Sequence, residues 1–238
     1  MVVEGGRMRT FLLAAAVTVV LASPATAATR NFGITGFTKI RVEGPYKVTL
    51  ATGVAPFAKA SGSPTALDRV AIEVHDDTLV VQTNQSAWGG YPGENPGPVE
   101  VTVGTHDLSS ASLTGAGSLA IDNVQGLSFA LGVQGSGAVE IANVAADQLQ
   151  VNLAGTATAK LKGHARSVTA LVRGLSSLDA ANLAAPAVHI TADGSSTIDA
   201  NATDTARVDA WGPATIRFTG HPSCTLKITG STNVSGCR

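Results

Sequence analysis

The sequence predicts an all-β protein, a right-handed single-stranded parallel β-helix with coils of about 20 residues. Two observations support this prediction. Apolar and polar residues alternate with period two over long stretches, as in strands with one buried face. Glycine also recurs at intervals of 18 to 20 residues, which indicates a repeated structural unit. The recurring glycines are Gly115, Gly135, Gly155, Gly174, Gly194, Gly212 and Gly230.

The composition agrees with a regular β protein that has a core of small aliphatic side chains. Of the 238 residues, 44% are apolar, which is enough for a core and excludes an intrinsically disordered chain. Only 4% are aromatic. The chain has 16 basic and 17 acidic residues and no polybasic run, so we expect no nucleic acid partner.

The first 27 residues have the pattern of a secretory signal peptide. Arg7 and Arg9 precede an apolar run over 11–22, and small residues follow over 25–27. A helix of this run would be about 18 Å long, too short for the about 30 Å hydrocarbon core of a membrane. We therefore expect cleavage after Ala27 and a mature chain, 28–238, that is periplasmic or secreted and does not span the membrane.

Residues 28–112 are predicted to form irregular N-terminal coils. Short strands alternate with turns rich in Gly, Pro and Asp, and no helix is predicted. Residues 84–98 are rich in Gly and Pro and are predicted to form a loop that contains Trp88 and Tyr91. The predicted strands are 40–43, 46–50, 57–60, 70–74, 79–82 and 99–103.

Residues 113–238 are predicted to form the regular coils. Ala111 and Leu113 lie four and two residues before Gly115, and Leu119 and Ile121 lie four and six residues after it. The same positions around the other recurring glycines are almost all apolar. Each coil therefore contains two strands whose apolar sides face a common core.

A second column of residues predicts where each coil bends. The position eight residues after each recurring glycine is usually Asn or Gly, residue types that adopt the left-handed conformation at low cost. We therefore expect a left-handed residue at the bend between the two strands of a coil. The predicted turn residues are Asn123, Asn143, Gly163, Asn182 and Gly220.

Four segments resemble one bacterial family. They are GFTKIRVEGPYKVTL at 36–50, LDRVAIEVHDDTLVV at 67–81, LTGAGSLAI at 113–121 and LDAANL at 178–183. They resemble the family named "putative auto-transporter adhesin, head GIN domain" (DUF2807). The resemblance covers nearly the whole mature chain. It implies an exported, adhesin-like GIN-type β-helix over 28–238, and it supplies no catalytic residues to transfer.

Two carboxylates are the candidate catalytic residues. Asp179 and Asp199 occupy the same outward position in adjacent coils, so they would lie about 5 Å apart, as the carboxylates of retaining glycosidases do. The alternative is a surface ladder of ion pairs in which Arg217 faces Asp199 and Lys160 faces Glu140. We favour the ladder, because no neighbouring residue is suited to raise the pKa of one carboxylate by burial.

The candidate binding residues are Trp88 and Tyr91, whose rings could stack on a sugar, although their loop could equally cover an edge of the solenoid. No metal site or cofactor is predicted, because the repeat does not bring the five His residues close enough together to share a metal ion. Cys224 and Cys237 bracket the last coil, and in an oxidising compartment they are expected to form a disulfide.

These observations favour a non-enzyme. We expect an exported, non-catalytic β-helical module that binds or scaffolds an envelope component or a glycan, in the manner of an adhesin. The alternative is a polysaccharide-cleaving enzyme of the β-helix type, with Asp179 and Asp199 as its carboxylates.

Overall fold

The computed structural model describes residues 28–84 and 97–238. It is a β-solenoid of about six turns of about 20 residues, which confirms the predicted fold class. The strands are β1 (Ala28–Phe32), β2 (Lys39–Glu43), β3 (Lys47–Thr52), β4 (Phe57–Gly62), β5 (Val70–His75), β6 (Thr78–Thr83), β7 (Glu100–Thr105), β8 (Ser110–Gly115), β9 (Ser118–Gly135), β10 (Ala138–Gly155), β11 (Thr158–Gly174), β12 (Ser177–Asp193), β13 (Thr197–Trp211), β14 (Thr215–Thr219), β15 (Ser223–Thr229) and β16 (Asn233–Ser235).

The strands form two walls around one core, because each of the long strands β9 to β13 bends once within a coil. Wall A contains the first halves of β9 to β13, with β3, β7, β4 and β1 at one end and β14 and β16 at the other. Wall B contains the second halves of β9 to β13, with β8, β2, β6 and β5 at one end and β15 at the other. Successive coils pair in parallel in both walls.

The core consists of columns of apolar side chains that stack from coil to coil. In β9, Leu119 and Ile121 point inward from wall A, and Phe129, Leu131 and Val133 point inward from wall B. All five side chains are at most 2% exposed. The register aligns each with an apolar residue of the next coil, so the alternation predicted from the sequence is confirmed.

The recurring glycines form the turn that leads from wall B into wall A of the next coil. Gly155 has a φ of +98°, a region that residues with a side chain rarely adopt. A Cβ atom at Gly155 would lie 2.7 Å from the carbonyl oxygen of Gly135 in the preceding turn. That same oxygen accepts a 2.8 Å hydrogen bond from Thr156 N. The turn therefore requires glycine both for its conformation and for close stacking.

The predicted left-handed conformation is wrong for the asparagine members of the bend column. Gly163 and Gly220 have φ values of +118° and +92°. In the described part of the chain, the non-glycine residues with positive φ are Asp76 and His221, which follows Gly220, and no asparagine is among them. Asn123, Asn143 and Asn182 therefore bend the chain without left-handed backbone. Asn143 Nδ2 instead donates a 2.7 Å hydrogen bond to Asn123 Oδ1, so the side chains of these two asparagines join adjacent coils.

This correction changes the expected effect of substitutions at Asn143. We expect Asn143→Ala to destabilise the protein by about 0.5 to 1.5 kcal/mol, because it removes the hydrogen bond to Asn123. Asn143→Gly should cost about a further 0.5 to 1 kcal/mol, because glycine loses more backbone entropy on folding. Urea unfolding of both variants provides the test. A left-handed Asn143 would give the opposite order, with the glycine variant more stable than the alanine variant.

A short helix, α1 (Pro64–Asp68), was not expected from the sequence. The Gly62–Pro64 segment is a turn signal, but Ser63 also caps the helix: its Oγ accepts a 3.1 Å hydrogen bond from Ala66 N. Proline is favourable at the first helical position because it has no amide hydrogen to satisfy. Ala66 and Leu67 are buried in the core, so packing stabilises this single turn.

The predicted strands of the N-terminal part correspond to β2 to β7, but their pairing is mixed. β3 and β2 pair in parallel with the first regular coil, while β4 pairs antiparallel with β7 and β1, and β5 pairs antiparallel with β6. This mixed pairing places β1 and β5 at the edges of walls A and B.

A disulfide closes the last coil. Cys224 in β15 and Cys237 are bonded, with their Cα atoms 5.7 Å apart, as the sequence predicts. β15 pairs with β13 on one side. Leu226 and Ile228, which lie in the inward columns, are 44% and 38% exposed. The disulfide therefore fixes the last coil, whose inward side chains are more exposed than those of the preceding coils.

Candidate binding site

The outer face of wall B presents three columns of side chains, at five, three and one residues before each recurring glycine. In wall B, β12, β13 and β15 are adjacent, and their register aligns these positions into a three-by-three grid. We call this grid the Trp211 patch. Its rows are His189, Thr191 and Asp193; Arg207, Asp209 and Trp211; and Thr225, Lys227 and Thr229.

Two shallow depressions lie along this face. One, of about 350 Å³, includes residues at the start of the patch strands, among them His189, Arg207 and Thr225. The other, of about 320 Å³, lies on the earlier coils and includes Gln134 and Arg173. Gly132 in β9 and Ala154 in β10 are small outward residues that line the second depression. The outer face of wall B therefore offers concave surface along several coils.

Asp209 is the central residue of the patch and is only 9% exposed. Arg207 Nε donates a 3.1 Å hydrogen bond to Asp209 Oδ2, and His189 Nε2 lies 3.0 Å from the same oxygen. Two hydrogen bonds lower the pKa of Asp209, and the one from Arg207 has a larger effect than the one from His189. Burial of Asp209 acts in the opposite direction. The carboxylate is therefore charged at neutral pH and held in one orientation.

The second oxygen of this carboxylate is open. In 28–84 and 97–238, no residue donates a hydrogen bond to Asp209 Oδ1. Lys227, the register partner of Asp209 in β15, forms no ion pair with it. A carboxylate oxygen can accept two hydrogen bonds, so Oδ1 is an available acceptor at the centre of the patch.

Trp211 lies next to Asp209 on the same face and is 43% exposed. Its register partners are Asp193 in β12 and Thr229 in β15. Its backbone is fixed, because Trp211 O accepts a 3.0 Å hydrogen bond from Gly194 N. The patch therefore combines an exposed aromatic ring with a fixed anionic acceptor on a rigid strand.

The structure places the candidate catalytic carboxylates on wall A. Asp179 and Asp199 are register partners in β12 and β13. Both oxygens of Asp199 are bound by Arg217, at 2.6 Å from Nε and 3.0 Å from Nη2. This hydrogen bonding raises the pKa of the Arg217 guanidinium above its usual value. The expected pairing of Arg217 with Asp199 is therefore present.

The other expected rung of the ladder is different. Glu140 pairs with Lys162 Nζ at 3.4 Å, not with Lys160. Lys162 lies two residues further along the same face, and its long side chain reaches back across the register shift between β10 and β11. The wall A charges therefore form separate ion pairs.

Trp88 and Tyr91 lie outside the described residues. Within 28–84 and 97–238, no three His, Cys, Asp or Glu side chains are grouped so that they could hold a metal ion. No helix in the same two segments combines the length and the hydropathy that a membrane crossing needs.

The comparison with protein families identifies the chain's relatives. The family model described as "Putative auto-transporter adhesin, head GIN domain", DUF2807, matches residues 36–222. The chain belongs to this family. The match includes all the strands from β2 to β14 and confirms the resemblance seen in the sequence.

Solved structures share the fold of this GIN-domain protein. A "putative adhesin" from Bacteroides fragilis is 22% identical with a TM-score of 0.78, and the match covers 88% of this chain and 96% of that one. A "putative adhesin" from Parabacteroides merdae is 16% identical with a TM-score of 0.70, and the match covers 89% of this chain and 96% of that one. A "putative lipid binding protein" from Parabacteroides distasonis is 20% identical with a TM-score of 0.69, covering 89% and 96%. No curated protein matches the chain significantly.

Sequence reasoning missed the Trp211 patch of this GIN-domain protein. Its central row is nevertheless visible in RVDAW at 207–211, where Arg207, Asp209 and Trp211 alternate with buried Val208 and Ala210. The apolar columns before each recurring glycine predict the buried side of these strands, whereas the outward residues that alternate with them form the patch.

Proposed function

We propose that this protein is an exported, non-catalytic binding module of the cell envelope, which contacts its partner through the outer face of wall B. The observation that supports this most directly is the Trp211 patch. Exposed aromatic rings beside fixed polar groups are typical of recognition surfaces. The signal-peptide pattern of residues 1–27, the disulfide and the adhesin description of the family agree with an exported role.

Export and binding can be tested together. The full chain is expressed in a bacterium with a periplasm, and the mature protein is purified from the periplasm and the medium. We expect an N-terminus at Ala28 by mass spectrometry, and saturable binding of the mature protein to washed envelope fractions. A chain that keeps residues 1–27 and stays in the cytoplasm, or one that does not bind envelopes, would contradict the proposal.

The second candidate is a polysaccharide-cleaving enzyme, favoured by the adjacent positions of Asp179 and Asp199 on wall A. The geometry supports this function less well. A glycosidase carboxylate must be free to attack or to transfer a proton, whereas both oxygens of Asp199 are bound by Arg217.

Substitution of these carboxylates separates the two functions. We expect Asp179→Asn and Asp199→Asn each to change the free energy of unfolding by less than about 1 kcal/mol, because surface ion pairs contribute little. Both variants should bind envelopes as the unaltered protein does. Detection of polysaccharide hydrolysis by the unaltered protein, lost in both Asn variants, would establish the enzyme instead. Reducing-sugar release from a polysaccharide panel is the measurement.

A further inference from the structure

We propose that the Trp211 patch is a carbohydrate-binding site, in which a sugar ring stacks on Trp211 and its hydroxyl groups bind Asp209. This inference rests on the proposed binding function and gives it a ligand class and a location. It concerns wall B, and not the loop with Trp88 and Tyr91.

The aromatic ring is the first argument. A sugar ring has one face of C–H groups, which packs on an indole, and a rim of hydroxyl groups that need polar partners. Trp211 is 43% exposed, so part of its indole is available for contact. The residues around it have hydroxyl or charged side chains: Thr191, Asp193, Lys227 and Thr229. An apolar ring inside a polar frame fits a sugar better than it fits a wholly apolar ligand.

The fixed carboxylate is the second argument. Arg207 and His189 both bind Oδ2 of Asp209, which holds the carboxylate in place and leaves Oδ1 open. A sugar hydroxyl could donate to Oδ1 at little cost, because the orientation of the acceptor is already set. Hydrogen bonds to a charged acceptor are also stronger than those between neutral groups.

The charge of the patch is the third argument. Arg207 and Lys227 are basic, and Asp193 and Asp209 are acidic, so the formal charges cancel. A balanced surface does not select a strongly anionic ligand such as a phosphate chain. We therefore assign a neutral oligosaccharide to the site. An extended chain could cross neighbouring coils, which stack at about 4.8 Å in a parallel sheet, and reach the depression beside His189 and Arg207.

The chain has two tryptophans, Trp88 and Trp211, which allows a direct test. In the Trp88→Phe variant, Trp211 is the only source of tryptophan fluorescence. The mature protein is titrated with chitohexaose, cellohexaose, maltohexaose and mannohexaose. We expect at least one hexasaccharide to change the Trp211 emission saturably, and Trp88→Phe to leave its Kd, measured by calorimetry, unchanged.

Variants of the patch then locate the site. We expect Trp211→Ala to raise the Kd about tenfold. Asp209→Asn, which keeps the shape and removes the charge, should raise it at least as much. The matched control is Leu127→Ala, which removes another exposed apolar side chain, 79% exposed, outside the patch. It should leave the Kd unchanged. Where Trp211→Ala fails to fold, Asp209→Asn still tests the site, provided that it unfolds in one cooperative thermal transition.

The outcomes that overturn this inference differ from those that overturn the proposed function. If envelopes bind but no hexasaccharide does, the carbohydrate assignment is wrong and the binding function stands. The same holds if Trp211→Ala reduces binding to phosphatidylglycerol vesicles, and sugars do not bind. If sugar binding survives Trp211→Ala and Asp209→Asn but not Trp88→Ala, the site is the loop. Absence of both sugar and envelope binding overturns both proposals.

Discussion

Gly155→Ala is expected to lower the free energy of unfolding by about 2 to 5 kcal/mol. Two costs combine in this estimate. Alanine is strained at the φ of +98° that Gly155 adopts. Its Cβ would also lie 2.7 Å from Gly135 O. That oxygen cannot withdraw, because it accepts the hydrogen bond from Thr156 N that joins successive turns. Chemical denaturation measured by circular dichroism provides the value.

Two other glycines in β9 separate these costs. Gly126 has a φ of +145° and open space around its Cβ position, so Gly126→Ala should show the conformational cost alone, about 1 to 3 kcal/mol. Gly132 has ordinary backbone and open space, so Gly132→Ala should be neutral or stabilising by about 0.5 to 1 kcal/mol. Equal stability of the Gly155 and Gly126 variants would show that close stacking of the turns is unimportant.

Removal of the disulfide is expected to cost about 3 kcal/mol, in the double variant Cys224→Ala, Cys237→Ala. The bond joins residues 13 apart in sequence, and it restricts the unfolded chain more than the folded one. The loss of stability should be confined to the last coil, because Leu226 and Ile228 bury little apolar surface that could hold β15 in place.

Hydrogen exchange followed by mass spectrometry gives the distribution of this effect. We expect the double variant to lose protection in β15 and β16 and to keep it in β9 to β11, which have a paired coil on each side. Reduction of the unaltered protein with dithiothreitol is the matched control and should give the same pattern. Uniform loss of protection over all coils would mean that the disulfide stabilises the whole solenoid.

The repeated part of the fold was predictable because stacking gives equivalent positions the same surroundings. Leu119 and its counterparts in later coils are buried by one another, so each position keeps one kind of residue. The bend was only partly predictable. Asparagine is suited to left-handed backbone, but also to the hydrogen bonding seen between Asn143 and Asn123, and one sequence cannot distinguish the two.

The N-terminal part and the candidate site were less predictable for a related reason. Pairing of β1 with β4 and of β4 with β7 joins strands that share no repeated pattern. The Trp211 patch occupies a few outward positions, where neighbouring coils do not require a particular side chain. His189, Arg207 and Asp209 come together only through the parallel register of β12 and β13.

The way each coil pairs only with the coils before and after it has a consequence for how such proteins evolve. Gly135 and Gly155 occupy the same place in successive turns, so an in-frame loss of residues 136–155 would join Gly135 to Thr156 with both walls in register. A duplication of the same segment would add one coil in the same way. Genes of this kind can therefore change the length of a binding surface in single coils, while every inward column keeps its order.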